Sequence, residues 1–208
     1  AHSVVIGQIH SADGHENEPL KIFYKKYPGH NKGSVFWNYE INTAGDDNSG
    51  RWDFSTVVWG NVTVVNEKEN TSPQDPEDGV ALGEEFSYEV LFKEGIMYLT
   101  FSRDGHESKS FTKNVIQSEY TSITDIPSSI RKKGVERESA YANEGLFFKL
   151  GSYNQTNKIT NGAETYGGDI HKQYETGNYT EVWFKTASIY VSDSAISNEG
   201  YFLKNDKK

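Results

Sequence analysis

The chain has 208 residues, no cysteine, and a formal net charge of −9 with an isoelectric point near 5.2. Disulfides, zinc–thiolate sites and a cysteine nucleophile are thereby excluded, and a nucleic-acid partner is disfavoured because phosphates call for a basic footprint. Aromatic residues at 13% and 19 glycines favour strands joined by tight turns, and the length suits one all-β domain able to bury a core unaided.

Strand patterns recur along the chain. The first runs from Val4 to His10 and begins so near Ala1 that sequence belonging to the fold is expected upstream. Leu20 to Tyr27 and Ser34 to Ile41 follow, split by the turn Pro28-Gly29-His30-Asn31-Lys32-Gly33. Phe54 to Trp59 and Val62 to Val65 come next, then a polar loop from Asn66 to Gly83. Phe86 to Lys93 and Ile96 to Phe101 form a hairpin about Glu94-Gly95. In its first arm Phe86, Tyr88, Val90 and Phe92 alternate with polar residues, the period of two that turns one face to a core. Ser108 to Thr112 is a weaker strand, and a short helix is expected near Pro127 to Lys133. Gly145 to Gln155 and Thr180 to Val191 close the set, separated by a polar loop. The expected fold is all-β, a β-sandwich or jelly roll of two antiparallel sheets with a concave cleft and at most one or two short helices, as a single domain over 1–208.

Three segments could carry chemistry. Strand alternation puts Gln8 and His10 on one face, about 7 Å apart, with Ile9 turned the other way. The same parity groups Lys149, Tyr153 and Gln155, with Phe148 and Leu150 opposite. The third segment holds Lys21, Tyr24, Lys25 and Lys26, a locally basic stretch on an acidic chain, and the field in a cleft is set by what lines it. Each has an ordinary reading as well: a solvated histidine, a tyrosine at a core edge, lysines guarding a strand edge.

Gln8-Ile9-His10 resembles the Gln-Ile-His motif of alginate lyases in polysaccharide lyase families seven and eighteen. Phe148-Lys149-Leu150-Gly151-Ser152-Tyr153-Asn154-Gln155 is similar to their Tyr-Phe-Lys-x-Gly-x-Tyr-x-Gln motif, with Phe147 where a tyrosine normally stands. Glu18-Pro19-Leu20-Lys21-Ile22 and Glu181-Val182-Trp183-Phe184-Lys185 also look familial, so the resemblance covers nearly the whole chain. It departs at one point: the family's arginine-rich motif, found upstream of Gln-Ile-His, has no counterpart here. A separate N-terminal segment or chain completing the fold is therefore among the expected partners.

The resemblance implies β-elimination of an acidic polysaccharide, alginate, with endo action. It implies Gln8, His10 and Tyr153 as catalytic residues, and Lys149, Gln155, Lys21, Tyr24 and Lys25 as substrate contacts. A uronate carries its C5 hydrogen α to a carboxylate, so neutralising that carboxylate acidifies C5; a base then takes the proton and an acid protonates the leaving oxygen. By resemblance His10 is neutraliser or base, and Tyr153 is acid or both acid and base.

No cofactor is required by this chemistry, and a structural calcium ion at Asp46-Asp47-Asn48 or Asp13-Gly14-His15-Glu16 is the weaker alternative to solvated turns. No run reaches the ~20 apolar residues of a membrane-crossing helix. The expectation is a monomeric, secreted protein with its signal peptide removed, and neither nucleic acid nor membrane as partner. The rival readings are a lyase of another uronan such as glucuronan, and a non-catalytic carbohydrate-binding jelly roll using Trp37, Trp52, Trp59 or Tyr24 as stacking platforms.

Overall fold

A computed structural model describes residues 3–12, 18–41, 52–62, 74–116, 141, 144–154, 159–160, 162–190 and 201–202. Two antiparallel sheets carry the architecture. The larger contains β1 (Ser3–Ser11), β2 (Leu20–Lys25), β3 (Lys32–Ile41), β4 (Trp52–Trp59) and β9 (Leu146–Tyr153) in the order β4-β3-β2-β1-β9, with β5 (Val80–Ala81) paired to the start of β3. The smaller is β6 (Ser87–Lys93), β7 (Ile96–Ser102) and β8 (Lys109–Asn114) in chain order. Short pairs join β10 (Ile159–Thr160) to β11 (Ala163–Glu164) and β12 (Ser188–Ile189) to β13 (Tyr201–Phe202).

The expected strands are largely present. The β6–β7 hairpin turns on Glu94 and Gly95, both at positive φ (52° and 75°), the conformation a two-residue hairpin loop demands. Two expectations fail. The segment between β9 and β12 holds a helix, α1 (Ile170–Glu175), whose N-cap Asp169 accepts a hydrogen bond from the Lys172 amide. From Thr180 to Val191 an extended strand was expected, but only β12 is a strand among the described residues there, although Val182 packs on the core. The helix expected near Pro127 lies outside the described residues, as do both acidic loops weighed for calcium.

The main core lies between the sheets. Ile6, Ile9, Leu20, Ile22, Val35, Trp37, Tyr39, Val58 and Trp59 from the larger sheet meet Met97, Leu99 and Phe101 of β7. Strand alternation sends the intervening residues to the opposite face, where Val5, Phe23, Phe36 and Val62 form a small second cluster. A bulge in β1 reconciles the two faces. Val5 pairs with Phe23 but Gly7 with Ile22, so Ile6 is an extra residue relative to β2. Gly7 consequently faces the core, where a Cβ would lie 2.4 Å from the Tyr88 hydroxyl, and that hydroxyl donates to the Ile6 carbonyl at 3.2 Å. Only glycine admits the tyrosine there. Beyond the bulge, Gln8 and His10 take the face that Val5 also occupies.

Candidate active site

The face of the larger sheet turned away from the main core carries a continuous polar row. Register aligns Ser55 of β4 with Asn38 of β3, Asn38 with Lys21 of β2, Lys21 with Gln8 of β1, and Gln8 with Lys149 of β9. Ser55 Oγ donates to Asn38 Oδ1 at 3.0 Å. Asn38 is 1% exposed and Gln8 8%, whereas Lys149 is exposed, so the row opens to solvent at β9. Gln8 thus presents its amide between two lysine-bearing strands.

His10 stands one step further along β1. Its Nδ1 lies 2.6 Å from the Ser11 carbonyl oxygen. A carbonyl can only accept, so this nitrogen carries the proton and Nε2 is the acceptor nitrogen of the neutral ring. The ring stacks on Phe147 of β9, centroids 5.3 Å apart at 30°. The Lys149 ammonium sits 5.0 Å from the centroid of that same phenyl ring, within cation–π range. Nε2 faces Glu18 Oε1 at 3.7 Å. Ser11 Oγ donates to Glu144 Oε2 at 2.7 Å, pinning the end of β1 beside the start of β9.

Tyr153 shares this face, since it pairs with Val5, and its side chain is 46% exposed. It does not share the His10 neighbourhood. His10 pairs with Phe147, six residues earlier on β9, which is roughly 20 Å along a strand at 3.3 Å per residue. Imidazole and phenol therefore flank the Gln8–Lys149 row from its two sides.

Lys21 is in the row but engaged: its Nζ donates to Glu40 Oε2 at 2.5 Å and to Glu18 Oε2 at 3.2 Å. Two expected substrate contacts give way. Tyr24 pairs with Val4 and Val35, points into the main core, and donates its hydroxyl to the Val80 carbonyl at 3.0 Å. Burial, with the Glu84 charge nearby, pushes its phenol up to about 12. Lys25 is on the polar face but 1% exposed, with its ammonium 5.1 Å from the Tyr27 ring centroid. Gln155 lies outside the described residues. Trp37 and Trp59 are core residues, 5% and 1% exposed, and offer no platform for a sugar. The side chain of Trp52 is likewise outside the described residues.

Sequence reasoning gave no role to Glu18, Glu40 or Phe147. Glu40 is 0% exposed, and burial raises its carboxyl to about 8, against the opposing pull of Lys21 and with the Glu18 charge adding to the rise. Among the described residues no group of three or more His, Asp or Glu is placed to hold a metal ion.

Comparison with known proteins bears on this arrangement. A family model described as "Alginate lyase" matches residues 1–191. A curated protein named "Alginate lyase" from Klebsiella pneumoniae is 30% identical over 152 residues, covering 73% of this chain and 41% of that protein. The crystal structure of the exolytic PL7 alginate lyase AlyA5 from Zobellia galactanivorans matches with a TM-score of 0.73 and 57% identity, over 86% of this chain and 62% of that one. The crystal structure of the Klebsiella pneumoniae alginate lyase matches with a TM-score of 0.51 and 28% identity, over 74% and 45% of the two chains. The chain thus spans less than two thirds of the length of each of these relatives.

Proposed function

We propose, from the premise that this chain belongs to the alginate lyase family, that it cleaves alginate by β-elimination, leaving a 4,5-unsaturated sugar on the new nonreducing end. The observation that carries the reading is the register of Gln8 between Lys21 and Lys149, with His10 following on the same face. An amide donor on that face suits a uronate carboxylate, and drawing its charge away acidifies the C5 hydrogen. His10, with Nδ1 committed to Ser11, offers Nε2 to the sugar as neutralising cation. Tyr153, exposed on the same face and six residues along β9 from the position paired with His10, serves as base and acid together, taking the C5 proton and returning it to the departing 4-oxygen. Lys149 at the solvent end of the row binds the carboxylate of a neighbouring sugar. The scheme calls on no metal, and a polysaccharide substrate supports a place of work outside the cytoplasm.

Endo action, the expectation from sequence, lacks support in the relatives. The Zobellia protein at 57% identity is described as exolytic, and we favour exolytic release for this chain. The test is incubation with alginate, polymannuronate, polyguluronate and glucuronan, following ultraviolet absorbance of the conjugated double bond and product length. Short products from the first minutes, with little loss of viscosity, are expected on alginate. Absence of new absorbance on every uronan would remove the lyase reading and leave carbohydrate binding as the alternative.

A further inference from the structure

The sheet face that carries Gln8 and His10 is open on one side only. On that face β2 presents Lys21, Phe23 and Lys25, paired in register with Asn38, Phe36 and Ser34 of β3. Phe23 is 5% exposed, Ser34 1% and Phe36 0%, whereas Phe147, Lys149 and Tyr153 on β9 are exposed. The face is therefore covered over β2 and β3 and free along β9, with Gln8 and His10 of β1 at the boundary.

Among the described residues, the cover is the stretch of chain that follows β4. Gly60, at φ 100°, turns it over the sheet, and a Cβ there would lie 2.2 Å from Ser34 Oγ. The Asn61 and Val62 amides both donate to that hydroxyl, at 3.1 and 3.3 Å. Val62 is buried with Val5, Phe23 and Phe36, and Tyr27 packs against the same cluster. From the other side, Asp78 Oδ1 accepts from the Gly60 amide at 3.0 Å, and Asn61 Nδ2 donates to the Gln74 carbonyl at 2.7 Å. The segment is thus pinned from both flanks.

We infer that residues 60–62 form a wall that closes the sugar-binding face on its β2–β3 side, so that one end of a polyuronate chain enters and the rest leaves over β9. The inference rests on the exolytic reading and names the element that produces it. A sugar chain does not displace the wall, because its hydroxyls and carboxylates would be pressed onto Phe23 and Phe36, which offer no hydrogen-bonding group. On the open side the exposed Lys149 ammonium draws the anionic remainder of the chain.

Ser34→Ala removes the acceptor that the two amides share, and Gly60→Val puts a side chain where Ser34 stands. Both variants should still generate ultraviolet absorbance on alginate, but their first products should lengthen and viscosity should fall faster per bond cut. Hydrogen exchange at the Asn61 and Val62 amides, beside thermal melts, should show the segment loosened on a folded sheet. A loosened segment with unchanged product lengths overturns the wall and leaves the exolytic reading standing; long first products from the unsubstituted protein overturn both. A binding arm needs no cleavage. With Tyr153→Phe as background, oligouronates carrying a bulky fluorophore should bind when labelled at one end and not at the other, and adding Ser34→Ala or Gly60→Val should admit both. Equal binding of the two labelled forms without those changes overturns the inference, even if the protein cleaves no uronan.

Discussion

The His10 imidazole and the Phe147 ring lie stacked across the β1–β9 ladder, 5.3 Å between centroids, at Cα positions paired in register. That contact fixes the plane of the imidazole while the Ser11 carbonyl fixes its rotation, so the ring is oriented by groups that never need to touch a sugar.

Phe147→Ala should therefore act on turnover more than on stability. The phenyl ring is 41% exposed, and its loss should cost about 1 kcal/mol of folding free energy, whereas a loosened imidazole should lower kcat roughly tenfold. Phe147→Tyr should be nearly silent. Steady-state kinetics beside thermal melts would show whether the two effects separate.

Tyr153→Phe removes one oxygen from a side chain that is 46% exposed. The fold should keep its melting temperature, and cleavage should fall by about 10²-fold or more if the phenol is the acid. Near-normal turnover would strip Tyr153 of that role.

Lys149→Ala should raise KM with little change in kcat and should flatten the dependence of KM on salt, since an exposed ammonium attracts a polyanion through screened charge. Gln8→Ala, by contrast, should depress kcat by on the order of 10²-fold, because its amide is placed where charge develops. A uniform rise in KM for both variants would place them in one binding role.

Tyr24→Phe tests the face assignment. Its hydroxyl serves the Val80 carbonyl in the core, so the substitution should cost about 1 kcal/mol of stability and leave kcat and KM alone. A kinetic defect larger than the loss of folded protein would put Tyr24 back among the substrate contacts.

Glu40 supplies a pH signature. Its carboxyl is raised to about 8 in the folded protein against an ordinary value of 4.5, so the folded state holds a proton that the unfolded chain releases. Its contribution to stability is full below pH 4.5 and is lost as pH rises through about 8. Melting temperatures should decline across that window, and Glu40→Gln should flatten the decline. An identical slope in the variant would assign the pH dependence elsewhere.

Much of this was legible in the sequence because period-two alternation is a local property. It placed Gln8 with His10 and Lys149 with Tyr153, and the register agrees. The same rule applied to Lys21, Tyr24 and Lys25 separates the tyrosine from the lysines; grouping all three as substrate contacts neglected it. Burial of Lys25 and the meeting of Glu18, Lys21 and Glu40 depend on which strands become neighbours, and no local pattern reports that. The helix α1 left a faint signal in Asp169 as cap and Gly177 just beyond its end, within a six-residue stretch too short for an amphipathic period.

The supernumerary Ile6 gives β1 two phases. Ahead of it the strand keeps step with the small apolar cluster; after it, counting restarts at Gly7, and the amide and imidazole face outward on that second beat. Substitutions among residues 3–5 can thus drift without rotating Gln8 and His10 inward. The point of failure is Gly7 itself, where any side chain would evict Tyr88 and let the two halves of the strand fall back into a single rhythm.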